Sequence, residues 1–220
     1  MKVLKNKFKH KRLMRDFENS IDYFSYFDVS GGNKKSRKRL IHEFKSCNNL
    51  NNLNKSIKSF CTKILKNQSK EFLKTLFFIS IPSSCGINDY ILKQIKTNYT
   101  DISIDNKVLK KGLIKNINFS MRYEKSPKTL NVIKNIIHSL KKTKYEKIYQ
   151  QHLIPRSYRK YIRNFLKINN KKKNIYKDKN IILIDDTIDE GATIIETKRI
   201  LNNNGLNVIY AFIPIKYSSL

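Results

Sequence analysis

The chain has 220 residues, 40% of them hydrophobic and 11% aromatic, which is enough for one substantial core with a small appended subdomain and too few for two comfortable domains. That composition excludes wholesale disorder and predicts a single domain over residues 1–220. A formal charge of +29 raises nucleic acid as a partner, but Lys outnumbers Arg 37 to 9 and Asn reaches 25, a bias toward A- and T-rich codons that points to genome composition rather than to phosphate recognition.

Residues 1–20 are basic with scattered Phe and Leu, and lack the continuous apolar stretch of a signal peptide. No apolar run approaches the roughly 18–20 residues that a membrane helix needs. A cytoplasmic protein with no membrane partner is therefore expected. Cys47, Cys61 and Cys85 contain no C-x-x-C pair, so neither a zinc knuckle nor a disulfide framework is indicated. His10, His42, His138 and His152 stand apart without ligand-like spacing.

In chain order, the alternation from Asp22 to Val29 predicts a half-buried strand running into the turn composition Ser30-Gly31-Gly32-Asn33. A helix is expected over about 35–45. Leu53, Ile57, Phe60, Cys61, Ile64 and Leu65 then line one face of another helix. Thr75 to Ile81 reads as a strand buried on both faces of a parallel sheet, ended by Pro82-Ser83-Ser84. A further strand is expected over Ile102–Leu109. Ser126-Pro127 is a cap followed by a first-turn proline, and Leu130, Ile133, Ile136, Ile137 and Leu140 continue at helical spacing. Residues 141–173 are very basic, contain Arg156, Arg159 and Arg163, and include the run Lys171 to Lys173, which reads as a solvated loop.

The last fifty residues carry the clearest pattern. Asn180–Ile184 is an apolar strand, Asp185–Gly191 a polar turn, Ala192–Asn203 a helix closed by Gly205, and Asn207–Pro214 a second strand, together one βαβ unit. Asp185 and Asp186 emerge at the carboxyl end of a buried strand, where open α/β sheets hold their ligands. Two adjacent carboxylates can each accept a hydrogen bond from a vicinal hydroxyl, as in a ribose. The turn through Gly191 into a helix start then offers unpaired amides and the positive end of a helix dipole, which suits a phosphate. An Asp-Asp at a strand end also occurs in receiver domains, phosphatases and nucleases, but those sites draw on further acids or a Lys from other strands and lack the Gly191-Ala192-Thr193 helix start.

Four apolar residues, Asp185-Asp186, two variable positions and a loop ending Gly191-Ala192-Thr193 resemble the signature of type I phosphoribosyltransferases, which bind 5-phosphoribosyl 1-diphosphate (PRPP). The resemblance covers about residues 71–215 and is closest to competence-protein F-like and orphan members. It implies an α/β fold, with a parallel sheet, helices on both faces, a variable N-terminal hood over 1–70 and a helical insertion in the core of 71–220. It also implies that Asp185 and Asp186 hold the ribose hydroxyls and that Glu190, Gly191, Ala192 and Thr193 wrap the 5-phosphate. Asp189 would be the catalytic acid or base near the nucleobase. Ser83 and Ser84, after the first core strand, resemble the loop that binds diphosphate. Glu190 departs from the pattern, since the family commonly has Thr or Ser there and a carboxylate repels a phosphate unless it turns away or meets a cation.

The implied activity is transfer of ribose 5-phosphate from PRPP to a nitrogen nucleophile with release of diphosphate, assisted by Mg²⁺ bridging the substrate and reaching Asp185 and Asp186. The partners implied are PRPP, a small nitrogenous acceptor and a second copy in a homodimer. Two alternatives keep the fold: a PRPP- or nucleotide-sensing domain without catalysis, and a competence-type protein associated with nucleic acid through its basic surface.

Overall fold

The computed structural model describes residues 9–13, 20–29, 50–83, 86–120, 126–169, 175–176, 178–188 and 191–217. Its centre is set by two short apolar strands. β3 (Leu76–Ser80) and β9 (Asn180–Ile184) pair in parallel, Leu76 against Asn180 through Ser80 against Ile184. Alternate side chains leave opposite faces of a strand. Phe77, Ile79, Ile181 and Leu183 thus enter one apolar cluster, while Leu76, Phe78, Ile182 and Ile184 enter another. A strand loaded on both faces needs cover on both faces, and helices supply it.

β1 (Lys9–Leu13) and β2 (Ile21–Val29) form an antiparallel pair at one end of the sheet. β2 then runs parallel to β11 (Asn207–Tyr217), and β11 runs parallel to β9. β4 (Ser103–Asp105) closes the other end beside β3, giving the order β1-β2-β11-β9-β3-β4. The architecture is therefore a mixed α/β layer with a mostly parallel central sheet. Of residues 1–70, expected as a hood, the described parts contribute β1 and β2 to this sheet and a helix to its face.

That helix is α1 (Leu50–Phe60), prolonged by a π-turn over Cys61–Leu65. Its predicted stripe is buried at Leu53, Ile57, Phe60, Cys61 and Leu65. Phe60 stacks on Phe212 of β11 at 4.4 Å between ring centres and meets Phe78 of β3 edge-on at 6.3 Å. α2 (Lys70–Thr75), capped by Ser69, leads into β3. α3 (Ile87–Asn98) buries Ile87, Ile91, Leu92 and Ile95 on the same side of the sheet. Full burial of each such aliphatic side chain is worth about 1.5–3 kcal/mol before entropy is set against it.

The opposite face is covered by α5 (Ala192–Asn202), through Ile194 and Leu201. It ends as predicted at Gly205, whose φ of 76° lets Leu206 N bond Leu201 O and Gly205 N bond Asn202 O. Residues 106–120 and 126–169 fold against α5 as a subdomain with a core of its own, where an insertion with one helix is expected. β5 (Leu109–Lys111) pairs antiparallel with β8 (Leu166–Ile168), and β6 (Asn118–Phe119) with β7 (Ile162–Arg163). α4 (Pro127–Lys144) begins at the predicted Ser126 cap and buries Ile133 and Ile137 against Ile114, Ile154 and Phe165. Gly112 permits the close pass that this requires, because a Cβ there would lie 2.9 Å from Asn164 O.

The expected strand over Ile102–Leu109 is two strands in different sheets. Asp105 Oδ1 accepts from Lys107 N at 2.7 Å, and that side-chain turn ends β4 before β5 begins elsewhere.

Candidate functional site at the β3–β9 switch point

From β3 the chain passes through α3 to β4 at one sheet edge; from β9 it passes through α5 to β11 on the other side. The connections thus leave the adjacent strands β3 and β9 in opposite directions and over opposite faces. In open α/β sheets this divergence opens a crevice beyond the strands' carboxyl ends, where ligands bind.

The segments leaving the two strands meet there. Ile81 N bonds Ile184 O at 2.9 Å, adding one rung beyond the strands. Two residues on, the Ser83 hydroxyl donates to Asp186 Oδ2 at 3.2 Å. The Thr187 hydroxyl donates to Asp186 Oδ1 at 2.9 Å, so each carboxylate oxygen of Asp186 accepts from a hydroxyl. Asp185 N bonds Phe212 O of β11 at 3.2 Å, and Asp185 Oδ1 accepts from Asp186 N at 2.9 Å. Both acids are nearly enclosed, at 9% and 5% exposure. The expected polar turn of 185–191 is shorter than the sequence suggested, because Thr187 and Ile188 form β10 alongside Ile215 and Lys216 of β11. Ile188, at 2% exposure, anchors the chain just after the acid pair.

Gly191 is the N-cap of α5 with φ 71° and ψ 8°, the left-handed region that an L side chain enters at a cost. Its carbonyl accepts from Ile195 N at 3.0 Å. Ala192 and Thr193 form the first turn of α5, whose opening amides have no carbonyl within the helix to meet. Thr197, fully buried, bonds Thr193 O at 2.7 Å and steadies that turn. Asp189, Glu190 and Ser84 lie outside the described residues. The structure therefore brings Ser83 to Asp186 and sets Gly191, Ala192 and Thr193 at the head of the next helix.

Sequence reasoning missed Asn88, the second residue of α3, which is 3% exposed and donates from Nδ2 to Ile81 O at 2.8 Å. It ties the turn after β3 to the helix that follows; a polar side chain in the first turn after a strand-ending loop is the signal. It also missed Glu196, wholly buried in α5, though its i+3 spacing to Arg199 was visible. Glu196 accepts from Arg199 Nε and Nη2, each at 2.8 Å, and from Asn164 N at 2.6 Å. Arg163 Nε stands 3.7 Å away. Arg159 donates to Ile154 O within the subdomain, and Arg163 donates to Lys160 O and Ile162 O while facing Glu196 of α5.

Among the described residues no cluster of three or more His, Cys, Asp or Glu could hold a metal. A groove of about 680 Å³ runs along α3 and β4 past Asp89, Lys96 and Asp105, sharing no residue with the acid pair. No family model matches the chain, and no curated protein matches it. No helix among the described residues is long and apolar enough to cross a membrane.

Proposed function

We propose that this chain is a type I phosphoribosyltransferase that binds PRPP at the β3–β9 switch point and transfers ribose 5-phosphate to a nitrogen nucleophile. The observation that carries the reading is the hydrogen bond from Ser83 to Asp186. The motif resemblance assigns the first residue to a diphosphate loop and the second to a ribose site, more than a hundred positions apart in the chain, and a single PRPP molecule needs both within its own length.

The chemistry follows from donor and acceptor types. Ribose hydroxyls donate to Asp185 and Asp186, displacing the Ser83 hydroxyl from Asp186 and releasing it toward the diphosphate. The head of α5, entered through the left-handed Gly191, receives the 5-phosphate. The acid pair fits Mg²⁺ held partly by substrate oxygens and water, the mode in which that ion uses one or two carboxylates rather than a full protein cage. Bound there, it would neutralise charge on the departing diphosphate. The bond from ribose carbon 1 to diphosphate breaks with its electron pair on diphosphate, and the acceptor nitrogen forms the new bond. The nitrogen's proton passes to Asp189 in this reading. The buried carboxylates stabilise the positive character that carbon 1 acquires between these events.

A thermal unfolding series with PRPP and Mg²⁺ tests it. At a hundredfold excess over Kd, binding stabilises by about 2.7 kcal/mol, roughly 5–10 °C for a chain of this size. Asp185→Asn with Asp186→Asn should abolish the rise. An unchanged melting curve of the natural chain at millimolar PRPP would refute the proposal. Stabilisation without PRPP-dependent diphosphate release across a panel of nucleobases would instead favour the sensing alternative.

A further inference from the structure

Total charge is uninformative here, but its distribution is not. Residues 106–169 hold 17 of the chain's 46 Lys and Arg and only two of its 17 acids, Glu124 and Glu146. This subdomain therefore carries +15 of the +29 in 64 of the 220 residues. Codon bias acts on the whole chain alike, so it does not explain why this one segment holds only two of the 17 acids. Glu146 is moreover paired with Lys115 at 2.9 Å.

The charge is also arranged. α4 contains no acid, and Lys128, Asn131, Asn135, His138, Lys142 and Tyr145 recur at spacings of three and four along one stripe. All six are exposed, with Lys134 exposed beside them and Tyr145 at 53% exposure closing the row. From Lys128 to Lys142 the stripe is about 21 Å long, roughly six phosphate spacings along one nucleic-acid strand. Every position but the last presents N–H donors, and the last presents an aromatic ring on which a base can stack.

We infer that the exposed face of α4 binds single-stranded nucleic acid, its lysines and amides following the phosphates and Tyr145 stacking on a base. Charge complementarity alone would also suit an anionic bilayer. A membrane-surface helix, however, must offer its apolar face to lipid, and the apolar face of α4 is already committed, with Ile133 and Ile137 buried in the subdomain core. This inference does not depend on the PRPP site.

The test is fluorescence anisotropy of a labelled 20-nucleotide oligo(U) with the full chain, from 50 to 200 mM KCl, and of a duplex of equal length. Lys128→Gln/Lys134→Gln/Lys142→Gln should weaken oligo(U) binding at least tenfold at 100 mM and reduce the slope of log K against log salt by about 2, since each single-strand phosphate contact contributes about 0.7. Tyr145→Ala should weaken it about tenfold with the slope unchanged. A control triple on α1 and just after its π-turn, Lys55→Gln/Lys58→Gln/Lys66→Gln, removes equal charge from exposed positions elsewhere and should change affinity less than twofold. Should the stripe triple fail to fold by circular dichroism, Lys128→Gln and Lys142→Gln alone should each lower the slope by about 0.7. Equal losses from the two triples, no binding of oligo(U) by the natural chain, or tighter binding of the duplex would overturn the inference. So would loss of binding to phosphatidylserine vesicles in the stripe triple while oligo(U) binding persists.

Discussion

Glu196→Ala isolates the contact between the insertion and the sheet layer. The carboxylate is fully enclosed and accepts three hydrogen bonds, two from Arg199 and one from the amide of Asn164, a residue held at φ 60°. Truncation removes all three and leaves two guanidiniums without their anion. Breaking a buried ion pair costs about 3–5 kcal/mol. Arg199 retains 29% side-chain exposure and can rehydrate, whereas Arg163 at 13% can do so less, which places the expected loss near the lower end, about 3 kcal/mol. That corresponds to roughly 6–12 °C in Tm. Urea unfolding followed by far-UV circular dichroism measures it, the chain having no Trp to report by fluorescence. Glu196→Leu with Arg199→Leu should recover much of the loss, because an apolar pair of similar volume removes the desolvation problem on both sides. Hydrogen exchange should quicken in β8 and α4 before β3 and β9 if the insertion detaches first. A loss below about 0.5 kcal/mol for Glu196→Ala would refute the claim that this cluster docks the subdomain.

Two further outcomes are expected. Gly191→Ala forces an L side chain into the left-handed region, and should cost about 1–2 kcal/mol in urea unfolding and reduce the PRPP-induced rise in Tm; unchanged values in both would show that the turn relaxes freely. Burial pushes the Cys61 thiol from 9.0 up to about 12 and the Tyr149 phenol from 10.0 up to about 12. Both groups are neutral when protonated and ionise more readily in the unfolded chain, so their contribution is complete below pH 9 and is lost as pH rises toward 12. These two groups should lower the unfolding free energy by roughly 2–3 kcal/mol between pH 8.5 and 10.5, in the same direction as the buried Tyr176 phenol, and Tyr149→Phe should make the fall above pH 10 shallower; a level profile would contradict the burial of both groups.

Local patterns were legible wherever one strand or helix faces a single environment. Asn180–Ile184 and Leu76–Ser80 read directly as buried strands because continuous β-branched, leucine and aromatic side chains suit two covered faces, and Ser126-Pro127 read as a helix start because its cap chemistry is local. Asp185, Asp186 and Gly191 stood out for the same reason: strand end, acid pair and left-handed turn are neighbours in sequence. Less legible was anything that required a distant partner. The Asx-turn at Asp105 split one expected strand between two sheets, and β10 formed inside an expected turn because β11 extends to Tyr217 and offers its edge.

The sequence by itself determined which segments would be buried and which residues could accept hydroxyls or meet a phosphate, since periodicity, capping and donor types are properties of a few adjacent side chains. Only the tertiary structure decided that Ser83 reaches Asp186, that Glu196 is closed over by Arg199 and Asn164, and that Lys128 and Lys142 of α4 face outward on one stripe. Those facts depend on strand order and on which helix face the core consumes, and both are fixed by packing between segments scores of residues apart.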